Sequence, residues 1–115
     1  MTKKLIALAL LTTINSYVFA ERFVTISASQ MAEVKVHTTH HNVPSARNYA
    51  VIKIAGLQEG CTTGVYLKVN DNPVAMSMVI SAQLAGTGVK VGYEPLFKSP
   101  WGDSTICALT NFILL

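Results

Sequence analysis

The feature that most constrains the fold is a segment that reads as a helix and carries no charged side chain in its body. It lies within residues 70–86, NDNPVAMSMVISAQLAG. Asn72 is expected to cap this helix, Pro73 suits its first position, and Gly86 can adopt the left-handed conformation that ends it. Its only polar side chains are two serines and one glutamine, so almost the whole circumference is apolar. A helix of this kind is normally buried on more than one side.

Two ways of burying this helix are open. It can lie deep in its own domain, or its second face can pack against copies of the same helix in a homo-oligomer. The second is favoured because a small chain with one helix has little other material to cover the far side. The apolar C-terminus, TNFILL, points the same way, since it lacks the Lys or Pro that usually protects an exposed edge strand. The residues predicted at the helix interface are Met76, Ser77, Ile80, Ser81 and Leu84.

The N-terminus has the pattern of a secretory signal peptide. Two lysines precede an apolar run that begins at Leu5, and the small residues of the VFA tripeptide that follows suit signal peptidase. The run is shorter than the roughly 20 residues that a membrane span needs, so no span is predicted. Residues 1–20 are therefore predicted to be removed, which leaves residues 21–115 as a single secreted or periplasmic domain. The short lysine-led signal is typical of bacterial export.

Removing the signal changes the charge balance. The full chain has nine basic and six acidic residues, and two of the lysines leave with the signal, so seven basic residues face six acidic ones. The remaining basic residues are scattered singly along the chain, whereas a nucleic-acid interface needs a clustered basic face. Nucleic-acid binding is therefore not predicted.

Cys61 and Cys107 are the only cysteines of the chain. In an exported protein they are predicted to form a disulfide, because the compartment is oxidising and neither cysteine has metal-ligating neighbours at a suitable spacing. Closing the loop between them would stabilise the fold by about 4 kcal/mol in the chain-entropy description, which is a large share for a small domain.

Alternating apolar and polar residues, rich in β-branched types, predict six strands around the helix. Four of these strands precede the helix and two follow it, so the predicted fold class is mainly β with one α-helix. The predicted strands are residues 23–27, 33–39, 49–55, 65–69, 89–93 and 105–114.

From residue 49 to residue 114 the chain resembles a known family. The chain is similar to small secreted OB-fold proteins in three features. These are a strand ending near a cysteine, a helix that ends within the segment SAQLAGTGVKVGY, and a second cysteine within STICALTNFIL. These proteins are related to toxin B subunits, such as those of the subtilase cytotoxin and the pertussis-like toxins. The resemblance implies a barrel of five strands, or six if the N-terminal FVTIS strand is an addition, with one helix and one disulfide.

The same resemblance implies an assembly and a set of partners. Five copies would form a ring, with the helices lining a central channel and outer surfaces that bind glycans. The partners it implies are further copies of the chain, a cell-surface glycan and a toxin A subunit. No sugar-contacting residue of the toxins can be matched to a position of this chain.

Two loops form the predicted binding surface, because loops on a rigid scaffold usually carry it. The first, HHNVPSARN, contributes His40, His41 and Asn42. The second, PWGDS, contributes Trp101 and Asp103. An aromatic ring beside polar turn residues is what a sugar face stacks on, although Trp101 can also fold back over the barrel end or the disulfide.

The three histidines of the chain are predicted not to form a metal site. An extended strand would place His37 and His41 roughly 13 Å apart, at about 3.3 Å per residue, with His40 on the opposite face. In that geometry they cannot share a zinc ion. No metal or other cofactor is predicted.

No catalytic constellation is predicted either. Asp71 and Asp103 are the only aspartates and are distant in sequence from the histidines, and no G-x-S-x-G turn is present. The predicted function is that of an exported, non-enzymatic, homo-oligomeric protein that resembles toxin B subunits and recognises glycans. The alternative is an exported accessory or inhibitor protein that binds another protein without recognising glycans.

Overall fold

The computed structural model describes residues 21–115, so the predicted signal peptide at residues 1–20 lies outside the described residues. The described chain is mainly β with one helix, as predicted. Short 3-10 turns join β1 to β2 and β2 to β3. In chain order the elements are β1 (Arg22–Ile26), β2 (Met31–Val36), β3 (Tyr49–Ile54), β4 (Gly64–Lys68), α1 (Pro73–Ala85), β5 (Val89–Lys98) and β6 (Ile106–Leu114).

The six strands form one sheet in the order β1-β5-β6-β4-β3-β2. Neighbouring strands are antiparallel except β4 and β6, which pair in parallel with Val65 opposite Cys107. β1 and β2 are the two edges of this sheet although they are consecutive in the chain. The predicted barrel is therefore not closed: within residues 21–115, β1 and β2 are linked by a turn instead of a hydrogen-bonded ladder. That turn is held by the backbone N–H of Ser27, which donates to Oε1 of Gln30 at 2.9 Å.

Alternation along β3 separates an inner side of the sheet from an outer side. Ala50, Ile52 and Ile54 are fully buried in the core on the inner side. Val51 and Lys53 point to the outer side, away from the core cluster. The core cluster receives side chains from all the strands named above and from α1, so the helix fills the inner side of the sheet.

The helix boundaries agree with the sequence prediction, but its N-terminal cap does not. Pro73 occupies the first turn of α1, and Gly86 follows the helix in the left-handed conformation with a φ of 66°. The side chain of Asn72 makes no cap hydrogen bond. Its amide instead donates to the carbonyl oxygen of Lys68 at 2.9 Å, which ties the helix entry to the end of β4.

One face of α1 packs into the core and the other is exposed. Met76 is only 7% exposed and belongs to the core cluster, so it does not lie on the face where an oligomer interface was predicted. The other four residues predicted at that interface, Ser77, Ile80, Ser81 and Leu84, are all exposed, and Leu84 is 85% exposed.

β5 extends to Lys98, although the sequence predicted its end near residue 93 and it contains Pro95. The register with β6 shifts there, so that Glu94 lies opposite Ala108 while Lys98 lies opposite Cys107. Residues 95–97 therefore bulge out of the ladder. A bulge tolerates proline because the missing N–H is not needed for pairing.

The predicted disulfide between Cys61 and Cys107 is confirmed. It joins the loop before β4 to β6, with the two Cα atoms 5.6 Å apart and both cysteines fully buried. Among residues 21–115, no helix is long and apolar enough to cross a membrane.

Replacing both cysteines, in the variant C61A/C107A, is expected to lower the free energy of unfolding by about 4 kcal/mol, because the unfolded chain regains the entropy of an open loop. Urea denaturation of the variant and the wild type measures the difference. Dithiothreitol is the control, since it should destabilise the wild type and leave the double variant unchanged. A loss below about 1 kcal/mol would show that the bridge is not a major source of stability.

Candidate functional site

The two predicted binding loops meet on the outer side of the sheet, beside β3. We call them the 37–48 loop, which joins β2 to β3, and the 99–105 turn, which joins β5 to β6. Between them lies a cavity of about 380 Å³. Its lining residues are Lys35, His37, His41, Val51, Lys53, Thr63, Trp101, Asp103 and Ile106.

The 37–48 loop folds back on itself, which brings two histidines together. The backbone N–H of His37 donates to the carbonyl of Tyr49 at 2.8 Å, and that of Asn48 donates to the carbonyl of His37 at 2.9 Å. Within the loop, the N–H of His41 donates to the carbonyl of Thr38 at 3.2 Å. The ring centroids of His37 and His41 are 4.3 Å apart. The predicted separation of roughly 13 Å is therefore wrong, because residues 37–41 form a turn and not an extended strand.

The two histidines hold this loop with opposite hydrogen-bonding roles. Nδ1 of His37 lies 3.0 Å from the carbonyl oxygen of Ala46 and must donate, since a carbonyl only accepts. Nδ1 of His41 instead accepts the backbone N–H of Val43 at 3.1 Å. Arg47 adds a further bond from its Nε to the carbonyl of His41 at 2.7 Å. The neutral imidazoles are therefore different tautomers, with the proton on Nδ1 in His37 and on Nε2 in His41.

Burial keeps His37 neutral. Its side chain is 8% exposed. Loss of solvation lowers the pKa of His37 most strongly, the hydrogen bond to Ala46 partly opposes this, and His41 and Lys35 lower the pKa further. His37 therefore carries no charge at neutral pH.

Trp101 is at the centre of a group of aromatic rings on the outer side of the sheet. We use the name aromatic cluster for His37, His41, Tyr49, Tyr66 and Trp101. The Trp101 ring centroid lies 5.2 Å from that of His37, 5.5 Å from that of Tyr49 and 5.8 Å from that of Tyr66. Burial, followed by the neighbouring Tyr49, raises the pKa of Tyr66. Trp101 is half-buried and lines the cavity, and it is not a member of the core cluster.

The 99–105 turn is fixed by a network of short polar contacts. The hydroxyl of Ser99 donates to the carbonyl of Asp103 at 2.7 Å and accepts its N–H at 3.0 Å. The carboxylate of Asp103 accepts hydrogen bonds from the hydroxyl and the N–H of Thr105, and these lower the pKa of Asp103. The hydroxyls of Thr105 and Thr63 lie 2.7 Å apart, which attaches the turn to the start of β4. Gly102, with a φ of 90°, takes the left-handed position that the turn requires.

Three of the five residues predicted to bind a ligand come together at the cavity. His41, Trp101 and Asp103 line it, from two different loops. His40 and Asn42 are exposed and lie outside the cavity wall. The structure therefore brings the two predicted loops together, and of the three residues predicted in the first loop, His41 lines the cavity.

Lys35, Val51 and Lys53 line the cavity but were not predicted as site residues. Strand alternation could have indicated this face of the sheet, because Val51 of β3 lies opposite both Lys35 of β2 and Tyr66 of β4, which places all three on one face. Lys35 and Lys53 give the wall positive charge. Nζ of Lys53 is 3.1 Å from the carboxylate of Glu33, which offsets part of that charge.

The site combines an aromatic ring, hydroxyl and imidazole groups, two lysines and one carboxylate in an open cavity. Pockets of this kind bind a ligand with an apolar face and polar edges. In the described part of the chain, no group of three or more His, Cys, Asp or Glu side chains is placed to hold a metal ion.

Replacing Asp103 with alanine is expected to loosen the 99–105 turn. We expect D103A to lower the fluorescence anisotropy of Trp101 and to cost about 1 kcal/mol of stability at neutral pH, after allowing for solvent screening. Because the folded-state pKa of Asp103 is lowered, its contribution is present above the ordinary aspartate pKa of about 3.9 and is lost as the pH falls below it. D71A, which replaces the other aspartate, is the control, and equal effects of the two substitutions would contradict the role given to Asp103.

Comparisons of this chain with protein-family models, with curated proteins and with solved structures found no match.

Proposed function

We propose that this protein is an exported, non-enzymatic glycan-binding protein with OB-fold topology that assembles as a homo-oligomer in the manner of toxin B subunits. The observation that carries the proposal is the cavity between the two loops. Trp101 lies there beside His41 and Asp103, so an aromatic surface adjoins hydrogen-bonding groups. A sugar ring has the matching chemistry, with an apolar C–H face and hydroxyls around its edge.

The connections between strands support the OB-fold part of the proposal. An OB fold is a five-stranded, partly open Greek-key barrel. If β1 and β2 are taken as the two halves of one bent strand, the sheet has five strands and that bent strand occupies both edges. The helix then lies between the third and fourth strands, and the chain returns so that β6 pairs with β4.

The location of the cavity also fits this topology. OB folds bind oligosaccharides and oligonucleotides on the second and third strands and on the loops that follow the first and fourth strands. With β1 and β2 taken as one strand, those features are β3, β4, the 37–48 loop and the 99–105 turn, and the cavity is lined by β3, by both of these loops and by Thr63 just before β4. Lys35 and Lys53 are the lysines on its wall. The other basic residues are scattered, which favours a glycan over a nucleic acid.

The homo-oligomer is supported by the uncovered apolar face of α1. Val74 is 71% exposed and Ile80 is 47% exposed, and both lie on the side of the helix that faces away from the core, together with Leu84. Ser77 and Ser81 lie between them and are small enough to let a second helix approach. A contiguous apolar face of this kind usually marks an interface.

Replacing Trp101 with alanine is expected to weaken glycan binding at least about tenfold, because the ring supplies the apolar contact with the sugar face. A glycan panel identifies a ligand of the wild type, and titration calorimetry then compares the variants. The matched control is F23A, which removes an aromatic ring that is exposed on β1, outside the cavity. The proposal fails if the assembled wild type binds no glycan of the panel, or if W101A binds as tightly as F23A.

Replacing Leu84 with glutamate is expected to dissociate the homo-oligomer into monomers at micromolar concentration, since a charge on the apolar face of α1 would have to be buried at the interface. Native mass spectrometry measures the particle mass. L96E is the control, because Leu96 is also exposed but lies in the bulge of β5. A wild type that is monomeric under these conditions would refute self-association. The exposed face would then favour the alternative function, in which the protein binds a different protein as an accessory or inhibitor.

A further inference from the structure

One hydrogen bond that holds the 37–48 loop requires a neutral histidine. The neutral His41 ring accepts the N–H of Val43 at Nδ1, over 3.1 Å. Protonation would place a hydrogen on that same nitrogen, because both ring nitrogens of a charged histidine are donors. Two N–H groups would then face each other, and this bond of the loop would be lost.

Protonation of His37 acts on the same loop through charge. Its bond to Ala46 would survive, since Nδ1 is already the donor there. A positive charge would, however, appear on a buried ring whose centroid is 4.3 Å from that of His41 and 5.2 Å from that of Trp101. If both histidines were charged, two neighbouring positive charges would repel each other within the loop.

The surroundings of His37 offer little to offset such a charge. Most of the charged and titratable groups near it are cationic or neutral, and the carboxylate on the cavity wall already accepts two hydrogen bonds from Thr105. The groups that face it from neighbouring elements are Lys35 of β2, His41 and Arg47 of the 37–48 loop, Tyr49 and Lys53 of β3, and Asp103 of the 99–105 turn.

We propose that the 37–48 loop is an acid-sensitive clasp on the candidate site. With His37 and His41 neutral, the loop is closed and holds Trp101 within the aromatic cluster. Their protonation releases the loop and disrupts the cavity. The effect on ligand release rests on the proposed glycan-binding function, whereas the change in the loop is a property of the free protein and can be measured without a ligand.

The pH range follows from His37. Its pKa is lowered in the folded protein, chiefly by burial, so the unfolded or opened chain binds the proton more readily than the closed one. The stability that His37 contributes is therefore present above the ordinary histidine pKa of about 6.5 and is lost as the pH falls below it. Mild acidification is the condition under which the clasp should open.

Trp101 is the only tryptophan, so its fluorescence reports on the site directly. We would titrate the tag-free wild type from about pH 7.5 to about pH 5, the range in which histidine changes its charge. The expected result is a reversible change in Trp101 emission while the far-UV circular dichroism of the sheet is retained. For a glycan that binds at the higher pH, we expect binding at least about tenfold weaker at the lower pH.

Asparagine variants separate the role of protonation from the role of the hydrogen bonds. In H41N, the side-chain oxygen can accept the Val43 N–H in place of Nδ1 but does not titrate, so the Trp101 response should fall by about half or more. H37N keeps a donor for Ala46, and the double variant should lose the response. H40N is the matched control, because His40 is exposed and lies outside the cavity. Its Trp101 emission should change with pH as that of the wild type does.

The outcomes are distinct. The clasp is refuted if Trp101 emission in the wild type is constant across this range, or if H41N responds as fully as H40N. H41N also provides the test if H37N does not fold, since His41 is only half-buried. If no glycan binds at either pH but the Trp101 response is present and is removed by H41N, the proposed function fails while the clasp stands.

Discussion

The rest of the structure depends on the short connection between β1 and β2. These strands are the two edges of a six-stranded sheet, yet residues 27–30 alone separate them. In a flat sheet, spacings of about 4.8 Å would place the edges about 24 Å apart. The five residue steps from Ile26 to Met31 can span at most about 18 Å. The sheet must therefore curl until its edges approach each other, and this curl creates an inner side and an outer side.

The inner and outer sides of the curled sheet have different roles. The inner side is filled by the core and by one face of α1. The candidate cavity lies on the outer side, where Val51 of β3 forms its floor and the two loops, with Lys35 and Lys53, form its walls. Because β3 also supplies Ile52 to the core, the cavity floor belongs to one of the best-packed strands of the fold. Loops fixed to such a strand can hold a binding geometry with little reorganisation.

Sequence patterns predicted features that depend on neighbouring residues, and they failed to predict features that depend on contacts between distant parts of the chain. The helix ends were predictable because Pro73 and Gly86 act on the backbone at their own positions. The extension of β5 was not, because proline usually ends a strand and only the shifted register with β6 makes Pro95 acceptable. The contact between His37 and His41 was not predictable either, since the spacing argument assumed an extended chain. Both segments lie between strands, as the sequence indicated, but their meeting point depends on how the sheet curls.

β3 lies between the core and the cavity, which matters for the proposed assembly. Ala50 and Ile52 belong to the core that α1 covers, and Val51 faces the cavity, so contacts made through the exposed face of α1 leave the cavity open. Each copy in a homo-oligomer would then present its own site. Linked sites bind a multivalent surface more tightly than one site does, by about 10² or more where the geometry allows simultaneous contact. A shallow site built on one tryptophan would thus be sufficient for firm attachment to a glycan-covered surface. Opening of the 37–48 loop in every copy would remove the combined affinity as well as that of each site, so a modest effect of protonation on one copy would become a large effect on the assembly.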